Sequence, residues 1–391
     1  MPTGFAKNLA YRIALPFLAP SPRGKMTFTA EGDPLHQQAD YAQVLVKHHV
    51  LGSSLLLKQG EQQTLVHASV GGELQHQADH LTLYRVASIT KVATTLTIMH
   101  LWEDGALSLD AAVTEYLPKE CASEPALDGV TIRHLLCHTS GLQDVPAYQR
   151  ALDQGGTLLD VLHAEGIRQS HPGEQFAYCN FGFGLLGCVL EQVTGQPLSE
   201  AMQDLLFAPL AMRAAMDAST LPAEHIMPIR RVLQRGKAED VRVTALGRKP
   251  LTSPDPLRHF GHTAGAMYTD CVSLGRMMSL FQQEGTIDGK QFLKPDTIRM
   301  MMTPHASYGT LSPGMSYGLG LILFTLPDFP DVQIVGHQGF AYGCVDGAFI
   351  TPNQQIIFLN GGASELRDGR LGVINRDVLR FALGKEFPSW T

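Results

Sequence analysis

The sequence predicts an α/β fold: strands from both ends of the chain share one antiparallel sheet, helices flank it, and a mainly helical lobe is inserted between. Three observations predict it. Segments with strand character gather before residue 87 and after residue 317. Helical periodicity dominates from about Leu109 to Gly261. A long apolar helix opens at Ser88, directly after the first strand segments. With 391 residues the chain is long for a single core, so two lobes are expected. The expected division is an N-terminal arm over 1–30, an α/β lobe over 31–108 and 262–391, and a helical lobe over 109–261.

Taken in order, Phe5 to Pro20 is apolar but interrupted by Arg12, and Pro16 and Pro20 should break helix. No small-residue cleavage site follows, so a packed arm is expected rather than a secretory signal. The competing reading is an interfacial anchor, with Lys7 and Arg12 at lipid headgroups and Phe5, Leu9 and Ile13 turned inward. No stretch is long enough to span a membrane. Leu51–Lys58 and Gln63–Val70 read as two strands joined at Gln59–Gln62, and Leu81–Val86 as a third segment. Val92, Leu96 and Met99 then recur at helical spacing, and Gly105 ends that helix. Helices are expected over Ile132–Cys137, Leu158–Ala164, Phe181–Val193 and Leu198–Phe207. Arg230–Pro256, charged and proline-bearing, reads as an exposed excursion. Thr269-Asp270 caps a helix to about Gln283. Strands return at Gly318–Phe324, Val332–Gly336, Cys344–Ile350 and Gln355–Leu359, and Leu371–Leu383 closes the chain as a helix.

The chemistry is concentrated in three short motifs. Ser88-Ile89-Thr90-Lys91 is the chain's single Ser-x-x-Lys. A lysine three residues along a helix lies on the serine's face. No charged residue occurs from Val92 to Trp102, so the helix should be buried. Burial disfavours the ammonium and makes Lys91 a base near neutral pH. Tyr178-Cys179-Asn180 is the single Tyr-x-Asn, and His337-Gln338-Gly339 lies between strand-like segments near the C-terminus.

In that order the motifs resemble those of the serine β-lactamase-related hydrolases, the branch of class C β-lactamases, D-aminopeptidases, D,D-carboxypeptidases and related esterases. Leu135-Leu136-Cys137-His138-Thr139-Ser140-Gly141-Leu142 resembles that family's His-Thr-Ser-Gly-Leu loop. Pro172-Gly173 onward resembles the stretch around its tyrosine, and Tyr317-Gly318-Leu319-Gly320 the strand before its third motif. The resemblance runs from about Tyr84 to Asn360. It implies a β-lactamase/transpeptidase-like fold with the site in a cleft between lobes. It implies Ser88 as acyl-enzyme nucleophile, and Lys91 with Tyr178 as the base pair, a nearby ammonium favouring the tyrosinate. Backbone N–H groups of Ser88 and Phe340 would form the oxyanion hole, beside Gly339. Asn180 would bind a substrate amide or position Lys91, and His337 would touch substrate or complete the proton network. Three departures stand out: Cys179 in the middle of the tyrosine motif, His337 where β-lactamases have lysine, and Gln338 where they have serine or threonine. A neutral histidine and an amide there predict small-ester hydrolysis ahead of β-lactam hydrolysis.

Competing readings are narrower. Gly182-Phe183-Gly184-Leu185-Leu186-Gly187 fits a dinucleotide fingerprint, but Asp204 falls inside a helical pattern, so helix packing explains the glycines. Gly314-Met315-Ser316-Tyr317-Gly318 fits a nucleophile elbow and carries the rival reading of an α/β-hydrolase. Cys179 lacks a histidine partner suited to a thiol nucleophile. His138 reads as a loop histidine that pins backbone. A non-catalytic relative that binds a ligand or its own copies is the alternative of another class. No basic run exists in a chain of net charge −7, which argues against nucleic acid. No His-Glu-x-x-His or clustered ligand set points to a metal, and no cofactor is expected. The six cysteines lack a Cys-x-x-Cys and read as free buried thiols in a reducing compartment, hence a cytoplasmic chain. The expected partner is a small-molecule or short-peptide substrate.

Overall fold

The computed structural model describes residues 3–18, 24–71, 77–233, 251–309, 312 and 314–385. Nine strands form one antiparallel sheet. They are β1 (Met26–Gly32), β2 (Gly52–Gln59), β3 (Gln62–Val70), β4 (Ala306–Ser307), β5 (Ser316–Tyr317), β6 (Ile322–Leu326), β7 (Phe329–Ala341), β8 (Cys344–Ile350) and β9 (Gln355–Asn360). Their spatial order is β1-β3-β2-β9-β8-β7-β6-β5-β4, so the two ends of the chain meet where β2 pairs with β9.

Alternation along the central strands explains why both faces are covered. Leu55, Ile356 and Phe358 point to one side, where α2 (Gln38–Lys47) and the C-terminal helix Val373–Ala382 bury Tyr41, Leu45, Ile374 and Leu379. Leu56, Ile357 and Leu359 point to the other side, into the larger core. There the helix Cys271–Gln282 lies on β2, β8 and β9. Asp377 ties the first side together: His48 Nε2 and Lys47 Nζ donate to its Oδ2 at 2.9 and 2.8 Å.

Two further helices place the site. α3 (Thr90–Glu103) is buried from Thr90 to Met99 and at Leu101, as the lack of charge over Val92–Trp102 predicts, and follows a single 3₁₀ turn at Ala87–Ile89. α4 (Asn180–Thr194) packs against it. The glycines of α4 are contact points. A Cβ on Gly184 would lie 1.6 Å from the Phe260 carbonyl oxygen, and one on Gly187 would lie 2.8 Å from Thr263 Oγ1. Close packing of α4 against the turn segment 259–263, not phosphate binding, accounts for them.

Several expectations need correction. The helix α1 (Thr3–Leu18) runs through Pro16, which deprives it of one backbone N–H donor without ending it. β1 begins inside the expected arm; its alternating threonines hid a strand that pairs with β3 along its length. Of Leu81–Val86 only Tyr84–Arg85 is strand, in a separate small sheet with Tyr268–Thr269 and Ala214–Ala215. β6 starts at Ile322, since Gly320 takes a positive φ of 68° against α3. β7 is far longer than Val332–Gly336 and carries the whole third motif. Residues 234–250 of the expected exposed excursion lie outside the described residues, and its flanks at Val232 and Leu251 are buried. Ser316 sits on the two-residue strand β5, paired between β4 and β6, and leads into another strand, so the elbow geometry and the α/β-hydrolase reading fall.

Candidate active site

Ser88 lies in the 3₁₀ turn immediately before α3. Ala87 ahead of it holds a left-handed φ of 44°, a strained conformation for a residue with a Cβ. Lys91, one turn on, is fully buried. Its Nζ donates to Ser88 Oγ at 3.1 Å, Asn180 Oδ1 at 2.9 Å and the Ala264 carbonyl at 2.6 Å. Burial lowers its pKa from 10.5 to about 7, with the charge of Asp144 pulling weakly the other way. A large share of Lys91 is therefore a free amine at neutral pH, aimed at the serine hydroxyl.

Tyr178 and Asn180 arrive at the start of α4. The Lys91 ammonium nitrogen is 5.0 Å from the Tyr178 ring centre. Burial pushes the Tyr178 phenol above its usual range, and a hydrogen bond with Ser88 only partly offsets this. The expected tyrosinate is thus replaced by a neutral phenol, because desolvation outweighs the Ser88 hydrogen bond and the Arg367 charge that favour ionisation. Asn180 does not cap the helix. Cys179 does, accepting from the Gly182 N–H at 3.2 Å, which also fixes its thiol as structural. Burial raises that thiol's pKa well above the ordinary value.

His337 is buried, with its Nδ1–H donating to the Gln338 carbonyl at 2.7 Å and its Nε2 facing the Tyr317 hydroxyl at 3.1 Å. Burial, then the Lys91 charge, lowers its pKa to about 3, so the ring is neutral. Both nitrogens are already partnered by protein. Pairing of β7 with β6 stops at Gly336, which leaves 337–341 with one open edge beside the Ala87–Ile89 turn. Gly339 permits that approach: a Cβ there would lie 2.4 Å from the Val86 carbonyl oxygen. The backbones of Ser88 and Phe340 are thereby brought to one side of the site, where the oxyanion donors are expected.

Three contributions escaped the sequence. Asp144 accepts from Asn180 Nδ2 at 2.7 Å and from the Phe181 N–H at 2.9 Å. It stands just before a Pro-initiated helix, Pro146–Gln154, with no spacing signal to link it to Asn180. His138 accepts from the Cys179 N–H at 3.2 Å, as a backbone-pinning histidine should, but its ring also packs 4.3 Å from that of Tyr178. Arg367 and Arg370 line the same cavity as Ser88, Tyr178 and Asn180. Their only sequence signal is the Asp368-Gly369 turn between them. The cavity holds about 240 Å³, and Tyr308 and Phe340 give it apolar wall. The third motif carries no cation of its own, and the two arginines are the cationic residues lining this cavity among the described residues.

All six cysteines are free and buried. Among the described residues no cluster of three metal-ligating side chains occurs, and no helix is long and apolar enough to cross a membrane.

Comparison with known proteins agrees with this architecture. The chain is 25% identical over 355 residues to penicillin-binding protein 4 of Amycolatopsis lactamdurans, covering 85% of this chain and 86% of that one. A local match of 35% over 181 residues is to the esterase EstB of Burkholderia gladioli, 41% of this chain and 44% of that one. The D-amino acid amidase of Ochrobactrum anthropi SV3 has the same fold, with a TM-score of 0.68 at 20% identity over 88% of this chain and 98% of that one. Residues 38–359 match the β-lactamase family, and the chain belongs to that family of serine hydrolases.

Proposed function

We propose that this chain hydrolyses an ester or amide of a small molecule or short peptide through an acyl-enzyme on Ser88, with esters as its preferred class. The observation that carries the reading is the buried Lys91 amine, its pKa near 7, 3.1 Å from Ser88 Oγ. Neutral Lys91 takes the Ser88 proton as Oγ bonds to the substrate carbonyl. The N–H groups of Ser88 and Phe340 hold the resulting oxyanion. The proton passes to the leaving group, with the neutral Tyr178 phenol placed to relay it. Water then attacks the acyl-enzyme by the reverse sequence, releasing the acid and restoring Ser88. Asn180, held by Asp144, keeps Lys91 in place. The ester preference is supported by the local likeness to an esterase and by a cavity suited to small substrates. A non-catalytic binding role leaves the buried, charge-lowered lysine without a purpose.

Fluorophosphonate labelling and p-nitrophenyl butyrate hydrolysis test this. Ser88→Ala should abolish both while the fold persists, and Ser316→Ala should retain both. Turnover above about 1% of wild type in Ser88→Ala would remove Ser88 as nucleophile, since losing such a nucleophile costs many orders of magnitude.

A further inference from the structure

We infer that α1 is an interfacial helix, which docks this chain on an anionic lipid surface through Leu9, Ile13 and Phe17.

Steps of four residues place these three side chains on one face of α1. They are 48%, 61% and 83% exposed, whereas the other exposed large apolar side chains, Val46, Leu81 and Val272, stand singly in the sequence. A continuous apolar stripe marks an interaction surface in a way that scattered residues do not.

The opposite face of α1 is fastened to the protein. Asn8 brackets Arg367, accepting from its N–H at 3.1 Å and donating to its carbonyl at 2.8 Å. Tyr11 Oη accepts from the Glu365 N–H at 3.2 Å, and Leu15, one turn beyond Tyr11 on that face, is half-buried. These contacts fix the roll of the helix, so the stripe faces away from the fold. The hairpin they hold, Arg367–Asp368 paired with Leu371–Gly372, carries Arg367 and Arg370 in the wall of the Ser88 cavity. Docking through α1 therefore sets that wall beside the lipid.

The charge of the segment selects the partner. Lys7, Arg12, Arg23 and Lys25 are its basic residues and no acid occurs before Glu31, whereas the whole chain carries −7. An anionic surface draws this segment and repels the rest, which orients the approach. Arg12 is exposed and stands about 100° round the helix from Ile13, at the level of lipid headgroups once the stripe is immersed. At 16 residues with Arg12 in its middle, α1 lies on such a surface rather than crossing it. Two copies meeting stripe to stripe would instead bring like charges together.

The test is flotation of the full chain with vesicles of phosphatidylcholine alone and of phosphatidylcholine with one quarter phosphatidylglycerol. The anionic vesicles should be bound at least tenfold more tightly, and high salt should weaken that binding, since each basic residue near such a surface contributes roughly fivefold. Ile13→Ser/Phe17→Ser should weaken binding about tenfold or more while leaving the thermal unfolding midpoint unchanged, and Arg12→Gln should weaken it by roughly fivefold. No binding to the anionic vesicles, equal binding to neutral ones, or undiminished binding by the double variant overturns the inference. A wild type that is dimeric by light scattering, with a monomeric double variant and no vesicle binding, would assign the stripe to a second copy and overturn it as well. None of these measurements reads turnover, so the assignment of Ser88 is tested separately.

Discussion

Asp144 and Asn180 share a 2.7 Å hydrogen bond that decides which end of the Asn180 amide faces Lys91. A carboxylate only accepts, so it draws the Nδ2 end and leaves Oδ1 for the lysine. The same carboxylate acts on Lys91 through its charge. Burial lowers the lysine's pKa and Asp144 raises it, burial winning by a wide margin. One acid therefore orients the lysine's partner and sets how readily the lysine loses its proton.

The pH profile should report this directly. Lys91 must be neutral to accept the Ser88 proton, so kcat/KM should fall as pH drops through about 7. Asp144→Asn removes a charge that raises the Lys91 pKa, so the acid limb should move to lower pH even as kcat falls. Profiles of both proteins on p-nitrophenyl butyrate between pH 5 and 9 settle the sign. A limb that moves upward would mean that another group controls it.

What the sequence revealed and what it hid divide along a physical line. Ser88 and Lys91 were legible because one helical turn joins them, and Tyr178 and Asn180 because they share one helix start. The sheet was legible from apolar runs such as Cys344–Ile350, whose bounds agree with the strand found. β1 was not, because its exposed residues read as polar loop and only Met26 and Phe28 pack inward. Ala264 was invisible for another reason: its backbone oxygen binds Lys91, and a carbonyl has no side-chain identity. Asp144, Arg367 and Arg370 reach the site through tertiary closure, which leaves no spacing to read. The protonation of Tyr178 could not be inferred from a neighbouring cation, since burial supplies the larger effect.

Glycine packing on α4 gives a graded stability prediction. Gly184→Ala drives a methyl to 1.6 Å from the Phe260 carbonyl oxygen, whereas Gly187→Ala meets the Thr263 side chain at 2.8 Å, a much smaller overlap. Overpacking of this kind costs about 1–3 kcal/mol, more when backbone must move. Gly184→Ala should therefore be the more destabilising, by denaturant midpoint. It should also lower kcat, because the displaced segment continues to Ala264, whose carbonyl holds Lys91 at 2.6 Å. Equal stability losses from the two substitutions would show that the 260–264 segment is not packed on α4 as described.

Gln338 separates a substrate-contacting role from a positioning one. It stands where the family has a hydroxyl residue, yet its amide is committed to Arg370 and Gly372. Gln338→Leu keeps most of the side-chain volume and releases both backbone groups, while Asn8 and Tyr11 still hold the other end of the hairpin. Arg370 should then lose its fixed placement. KM for mono-p-nitrophenyl glutarate should rise about tenfold, with kcat changed far less, because Arg370 acts on the carboxylate through charge at the binding step. Its neutral counterpart, p-nitrophenyl butyrate, should show no comparable rise. Asn8→Ala, which loosens Arg367 from the far side of the hairpin, should reproduce the pattern in weaker form. A Gln338→Leu variant that loses kcat equally on both esters would place the amide in the proton network beside His337, and the hairpin tie would then be incidental.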